Sequence, residues 1–300
     1  MIEISAIIST YNRAQYLDGL FASILQQTID PACYEVVIVN NNCTDNTEQK
    51  CRQFMAENPG LRIVYCVEHQ QGLSFGRNRG IRESSGRYVT FLDDDAVLTD
   101  DFFEQTIAFF KSHPQVSAIG GKILLKYLDR KPKWYNPYLA SLLGYFNKGD
   151  REMPFSNDYF RGSNMSFHRS LFDKYEGFNT SLGRVGRQLY GNEEKELFYR
   201  LKERGEEMWY VPSAVVLHLV PIERTYSEFI KRQALGTGKS QRQHAQVQGK
   251  TAILLSVVKE LLKWGATLAL ALGYLLQAKA RVAQMLILFR WWVSRGMLEG

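Results

Sequence analysis

The stretch Tyr88-Val89-Thr90-Phe91-Leu92-Asp93-Asp94-Asp95-Ala96-Val97-Leu98-Thr99-Asp100-Asp101 decides how the chain is read. Its first five residues are β-formers of the kind that fill a buried strand, and the run stops abruptly at three consecutive carboxylates. Charge in that position belongs where a strand leaves its sheet, and ligands of open α/β sheets bind at such strand ends. Like charges this close raise one another's pKa unless a cation neutralises them, and a hard divalent ion takes oxygen ligands of this kind. From the triplet alone two readings are open: a solvated acidic turn capping the next helix, or a cation-binding turn.

On the N-terminal side, β-like runs at residues 4–9, 35–40 and 62–67 alternate with helical patterns at 17–25, 44–57 and 74–83. Four parallel-type strands joined by helical crossovers predict an α/β fold with a doubly wound sheet. On the C-terminal side, Thr99 or Asp100 can cap a helix whose Phe102, Phe103, Ile107 and Phe110 form an apolar face, and a strand fits residues 116–125. Residues 126–161 lose periodicity and carry Trp134 and three prolines, which marks a functional or mobile loop. A strand is expected at 162–168, a helix at 192–204, a strand at 211–220 and a helix at 225–233, followed by a polar linker at 236–250.

The tail from 251 to 300 contains helix formers and no strand pattern. Residues 264–278 carry no charge, but the run is shorter than the roughly 18–20 residues that span a bilayer. Lys259, Lys263, Lys279, Arg281, Arg290 and Arg295 flank or interrupt the apolar runs, and Trp264, Tyr274, Trp291 and Trp292 suit a membrane interface. The expectation is helices lying against the inner face of the cell membrane. The alternative is a helical hairpin packed on the catalytic domain or on a second copy, a homodimer through these helices.

Composition narrows the class. Three hundred residues, 45% of them hydrophobic, can bury a real core, and a net charge of +6 is a mild excess. The basic residues are scattered rather than interleaved with aromatics along one groove, so no nucleic-acid partner is expected. Cys33, Cys43, Cys51 and Cys66 form no CxxC pair and have no accompanying His spacing, which fits reduced thiols better than a zinc site. The opening residues lack a basic n-region and a long apolar h-region, so no secretory signal is read and a cytoplasmic location is expected.

Six short motifs, in order, resemble those of family 2 glycosyltransferases of GT-A fold. They are Ser9-Thr10-Tyr11-Asn12-Arg13; Val39-Asn40-Asn41-Asn42-Cys43-Thr44-Asp45; Gly72-Leu73-Ser74 with Arg77, Asn78 and Gly80; Phe91-Leu92-Asp93-Asp94-Asp95; Gly162-Ser163-Asn164-Met165; and Asn192-Glu193-Glu194-Lys195-Glu196-Leu197. The resemblance covers about residues 3–235. It implies a mixed sheet flanked by helices over 1–235, with a nucleotide-binding half at 1–115 and an acceptor half at 116–235, before the linker and the helical extension at 251–300.

It also implies an inverting transfer of a sugar from a nucleotide-diphosphate donor, UDP-sugar favoured, to a hydroxyl of a glycan or lipid-linked acceptor, with Mn2+ or Mg2+ as cofactor. Thr10, Tyr11, Arg13, Asn40, Asn42, Asp45, Gly72, Arg77, Asp93 and Asp94 would then serve the donor. Asn40 stands where the family usually has an Asp that accepts the uracil imino hydrogen, and its amide both accepts and donates. Asp45 has a second reading in helix-start chemistry. A planar Arg77 fork suits phosphate. In the family's Asp-x-Asp pattern Asp95 binds the metal directly and Asp93 is its partner, which leaves Asp94 in the variable, dispensable position.

His218, in Val215-Val216-Leu217-His218-Leu219, is either a third metal ligand or a core histidine. Glu194 maps to the base that takes the acceptor proton, with Glu193 as its rival, and both also suit a helix N-terminus. Gly162, Ser163 and Asn164 would line the sugar or acceptor side. Two other classes were open: a sugar-phosphate nucleotidyltransferase, which would want a basic Gly-rich loop after the first strand, and a non-catalytic nucleotide-sugar-binding scaffold.

Overall fold

A computed structural model describes residues 1–155, 158–183 and 192–299. In chain order the elements are β1 (Ile4–Thr10), α1 (Ala14–Leu25), β2 (Tyr34–Asn40), α2 (Thr47–Glu57), β3 (Arg62–Val67), α3 (Leu73–Glu83), β4 (Tyr88–Leu92), β5 (Ala96–Leu98), α4 (Phe102–Ser112), β6 (Val116–Tyr127), α5 (Pro137–Ala140), β7 (Met153–Pro154), β8 (Met165–His168), α6 (Leu171–Lys174), α7 (Glu193–Glu203), β9 (Glu207–Val220), α8 (Ser227–Gln248), α9 (Lys250–Leu276) and α10 (Ala280–Glu299). They divide into two units, Met1–Leu124 with Phe146–Leu219, and Leu125–Tyr145 with Val220–Gly300.

In the first unit the strands form one mixed sheet in the order β3-β2-β1-β4-β8-β6-β9-β5, with β7 beside β9. Strands β3, β2, β1 and β4 run parallel, whereas β8 is antiparallel to β4 and β6, and β5 and β7 are antiparallel to β9. Strands β2 and β4 are buried throughout and β1 nearly so, because helices cover both faces. Ile4, Ala6 and Ile8 pack with Leu17, Phe21, Phe54 and Phe103 on one face. Ile7, Val37 and Val39 belong with Phe167, Leu197 and Phe198 on the other.

Helix α3 sits unusually close to the sheet. A Cβ on Gly76 would lie 2.0 Å from Ser9 Oγ and one on Gly80 2.2 Å from Ile7 Cγ2, so both positions need glycine for this approach. The parallel register sets Thr10 opposite Asn40, Asn40 opposite Val67, and Ile8 opposite Leu92. The carboxyl ends of β1, β2 and β4 are therefore level. Strand order reverses direction between β1 and β4, and the acidic triplet leaves the sheet at that switch point.

The second unit is built from two distant stretches of chain. Trp134, Leu139 and Leu143 share a core with Ile230, Leu286 and Val293. Between α9 and α10 lies a buried polar cluster: Glu260 accepts from Arg290 Nη1 at 3.2 Å and from Ser294 Oγ at 2.9 Å, and Ser294 Oγ accepts from Trp264 Nε1 at 2.9 Å.

Several expectations are corrected here. Residues 236–250 are not a linker, since α8 runs through to Gln248. The glycines that suggested a loop are crossing points: a Cβ on Gly238 would meet Val293 O at 2.1 Å, and one on Gly296 would meet Leu235 O at 2.3 Å. Nor does a boundary fall at residue 235, because the second unit takes Leu125–Tyr145 and resumes at Val220. The stretch 126–161 contains α5 and β7, and a short strand, β5, stands between the triplet and the next helix. Trp292 is buried and Trp264 is turned inward onto Ser294, so neither is an outward interface group. Among the described residues no helix is long and apolar enough to cross a membrane.

Candidate active site

The triplet forms a tight turn, with Ala96 N donating to Asp93 O at 3.0 Å. Asp94 and Asp95 are buried, whereas the Asp93 side chain is 37% exposed. Thr10, at the end of β1, donates through Oγ1 to Asp94 Oδ2 at 2.8 Å. Arg13, at the start of α1, places Nε 2.8 Å from Asp94 Oδ1 and bonds Asp95 Oδ2 through Nη2. His218 in β9 faces the other Asp95 oxygen, with Nε2 3.4 Å from Oδ1. It is brought there by strand pairing, since Ala96 is opposite His218 and Leu219 N donates to Asp95 O at 2.8 Å.

Burial pushes Asp94 up to about 7 even though the Arg13 charge pulls against it. For Arg13 the balance goes the other way: burial disfavours its charge, but Asp94 and Asp95 more than offset that and hold it protonated. Asp94 is thus anchored on two sides, which does not fit a dispensable variable position.

A second charged cluster adjoins the first through Asp93. Arg77 in α3 is buried; its Nη1 lies 3.0 Å from Glu193 Oε1 and 3.3 Å from Glu194 Oε1, and its Nη2 lies 3.8 Å from Asp93 Oδ1. Its guanidinium also lies over the Phe178 ring, 5.2 Å from the centroid. Burial raises the Glu194 carboxyl, and Arg77 works against that rise. Both acids stand in the first turn of α7, where the helix dipole favours negative charge. Gly162 closes this cluster, because a Cβ there would lie 2.2 Å from Arg77 Nη2 and 2.3 Å from Glu194 Oε1. Asp93, Arg77 and Glu194 therefore form a continuous polar line from the end of β4 to the start of α7.

Other sequence-derived candidates are engaged in holding the loops. Asn40 donates through Nδ2 to Tyr65 OH at 2.8 Å and accepts from Cys43 N at 2.7 Å. Asp45 accepts from Ala14 N and Thr47 N, each at 3.1 Å, and so ties the first turns of α1 and α2. Burial would raise its carboxyl, but the bonds from Thr47 and Ala14 hold it below its ordinary range. Asn42 turns the chain at φ 65° and Gly72 at φ 149°, with Gly72 N donating to Asn41 Oδ1 at 2.8 Å. Asn164 donates through Nδ2 to Lys122 O at 3.0 Å and Ala214 O at 2.9 Å, joining β6 to β9. Ser163 is buried and Tyr11 half-buried.

Residues missed in the sequence are those whose part is set by tertiary contact. Cys43 accepts from Asn12 N and donates to Thr10 O, both at 3.3 Å, and Asn41 Nδ2 donates to Gln70 O at 2.7 Å. Nothing local in the sequence marks Tyr65 or Phe178. The segment 184–190, which with 126–161 is the stretch the sequence offers for acceptor choice, lies outside the described residues.

Asp95 offers a buried carboxylate with an imidazole nitrogen beside one oxygen, oxygen and nitrogen donors of a kind that divalent ions take, while Arg13 pairs with its other oxygen and with Asp94. Among the described residues no compact group of three such side chains is preformed, so a metal held here would draw further ligands from what it binds.

The mixed sheet is shared with solved glycosyltransferases. A mannosyltransferase from Pyrobaculum calidifontis, solved with GDP-Man and Mn2+, superimposes over 99% of this chain and 87% of its own, with a TM-score of 0.64 at 18% identity. TarS from S. aureus, residues 1–349 with UDP, does so over 79% of this chain and 65% of its own, with a TM-score of 0.55 at 18% identity. Residues 5–176 match the glycosyl transferase family 2 model, and the chain belongs to that family. A glucosyl-dolichyl phosphate glucuronosyltransferase of Haloferax volcanii is 27% identical over 248 residues, 80% of this chain and 77% of its own length. Glycosyltransferase AglE of the same organism is 32% identical over 124 residues, 41% of this chain and 40% of that protein.

Proposed function

We propose that the protein moves a glycosyl group from a nucleotide-diphosphate sugar, UDP-sugar favoured, to a hydroxyl of a lipid-linked or glycan acceptor by direct displacement with inversion. The observation that carries this reading is the line Asp93–Arg77–Glu194, which joins the strand-end acids to a carboxylate at the opposite wall. Glu194 takes the proton of the attacking hydroxyl. Its raised affinity for protons suits a base, and Arg77 and Gly162 fix where its oxygen stands. Thr10 and Arg13 orient the acids at the donor end, and Asp95 with His218, and Asp93 beside them, would hold a divalent cation. When bound, that ion would supply charge neutralisation for the departing nucleoside diphosphate.

The mannosyltransferase solved with Mn2+ supports the cation, and the glucuronosyltransferase acting on a glucosyl-dolichyl phosphate supports a lipid-linked acceptor. A lipid-linked acceptor would bring the work to a membrane surface, and use of a nucleotide-diphosphate donor favours its cytoplasmic face. The test is sugar transfer by Glu194→Gln and Asp95→Ala across a donor panel, with a thermal-shift screen of UDP and GDP with and without Mn2+. Glu194→Gln should keep the nucleotide-induced shift and lose transfer by about a thousandfold, within the range that proton-transfer groups supply. Normal transfer by both variants would overturn the assignment.

A further inference from the structure

The outward face of α9 carries an exposed apolar stripe. Leu254, Leu261 and Leu268 recur at seven-residue spacing, and Leu262, Leu272 and Leu276 widen the stripe; all six are more than half exposed, up to 82% at Leu276. At about 100° per residue these positions cover an arc of roughly 120°, and from Leu254 to Leu276 the stripe is about 33 Å long. Glu260, Thr267 and Ala271 occupy the opposite face of the helix and are buried within the unit.

The charges around the stripe are of one sign. Glu260 is the one acid in α9, and it is buried against Arg290. Lys259 is exposed beside the stripe, and Lys279 and Arg281 are exposed just beyond its end, whereas Lys263 lies on the opposite face with Nζ 3.9 Å from Glu260 Oε2. A second copy docking on this face would bring like charges together with no exposed carboxylate on α9 to answer them. The apolar arc is also wider than the two-position seam of a paired coiled coil. An apolar face edged with Lys and Arg is what a helix lying in the plane of an anionic bilayer surface presents.

We propose that the outward face of α9 docks the protein on a bilayer carrying anionic headgroups, with its leucines entering the acyl boundary and Lys259, Lys279 and Arg281 meeting the headgroups. This deepens the membrane location in the proposed function, and it is read without turnover, so its failure would leave the transfer chemistry standing. The inward-turned Trp264 and buried Trp292 take no part.

The test is flotation of the full chain with vesicles of phosphatidylcholine alone and with a quarter phosphatidylglycerol, alongside its mass in solution. Wild type should float with the anionic vesicles. Leu261→Gln/Leu268→Gln/Leu272→Gln should bind about tenfold less, and Lys259→Gln/Lys279→Gln/Arg281→Gln should bind several-fold less and lose the preference for phosphatidylglycerol. All substituted positions are exposed, and unchanged melting with nucleotide would show that the variants fold. Equal flotation of the leucine variant would overturn the proposal. So would a wild-type dimer that this variant converts to monomer while vesicle binding is unchanged, since the face would then belong to a second copy.

Discussion

At the scale of single residues, the charged line at the site is held by atoms with no room to spare. Gly162→Ala would set a methyl 2.2 Å from Arg77 Nη2 and 2.3 Å from Glu194 Oε1, so these two side-chain ends would have to move. Transfer should fall by about a hundredfold, the scale of an ångström-sized misplacement, while the melting shift caused by nucleotide survives. Wild-type turnover in this variant would show that the Arg77–Glu194 contact has no bearing on catalysis. Arg13 raises a different question, because its guanidinium already neutralises Asp94 and Asp95. In Arg13→Gln these carboxylates lose that charge, so the melting temperature should drop by roughly 4–8 °C in chelator and recover with Mn2+, whereas wild type should change less. A variant that melts like wild type in chelator would mean that the pair contributes nothing.

At the scale of elements, Glu35 clamps the amino-terminal end of the sheet, far along the strands from the switch point. It lies in β2 opposite Ser5 of β1 and Arg62 of β3, accepts from Ser5 Oγ at 2.7 Å and Ser85 N at 2.6 Å, and pairs with Arg62 Nε at 2.7 Å. Burial would raise its carboxyl, but the bonds from Ser85 and Ser5 hold it below its ordinary range. Stability drawn from it is therefore present above the ordinary value of about 4.3 and lost as pH falls through the lower folded value. Glu35→Gln should lower unfolding free energy at neutral pH by on the order of 2 kcal/mol, flatten the loss of stability on acidification, and leave kcat unchanged. Equal urea midpoints at neutral pH would refute the clamp.

The alternating strands and helices up to α4 were legible because their periodicities are local, and so were the acids at the end of β4. What the sequence could not show was partnership. Nothing local says that Arg77 would reach Glu193 and Glu194, that Asn40 would be occupied by Tyr65, or that Gly238 would be a helix crossing. Each depends on an element more than twenty residues away. Asp94 is the sharpest case: the motif pattern leaves it variable, and its bonds to Thr10 and Arg13 bury it.

At the scale of the whole molecule, two stretches separated by the end of the sheet complete one helical unit. A chain ended after Gly249 would keep Trp134, Leu139 and Leu143 but lose Val282, Leu286 and Val293 from the same core. Size-exclusion chromatography should find that truncated chain aggregated, whereas the leucine-face variant of α9 runs as a well-behaved species; a monodisperse truncated protein would contradict this. Membrane binding is therefore better tested by surface substitution than by truncation.

The same division has a consequence for biosynthesis. Leu143 leaves the ribosome about 150 residues before Val293, its partner in the core, so at ordinary elongation rates the two are separated by roughly 8–30 s. During that interval Trp134, Leu139 and Leu143 hang from a sheet that is still being made, without the helices that will cover them. An apolar stretch left uncovered for that interval is the kind of surface that chaperones shield during synthesis.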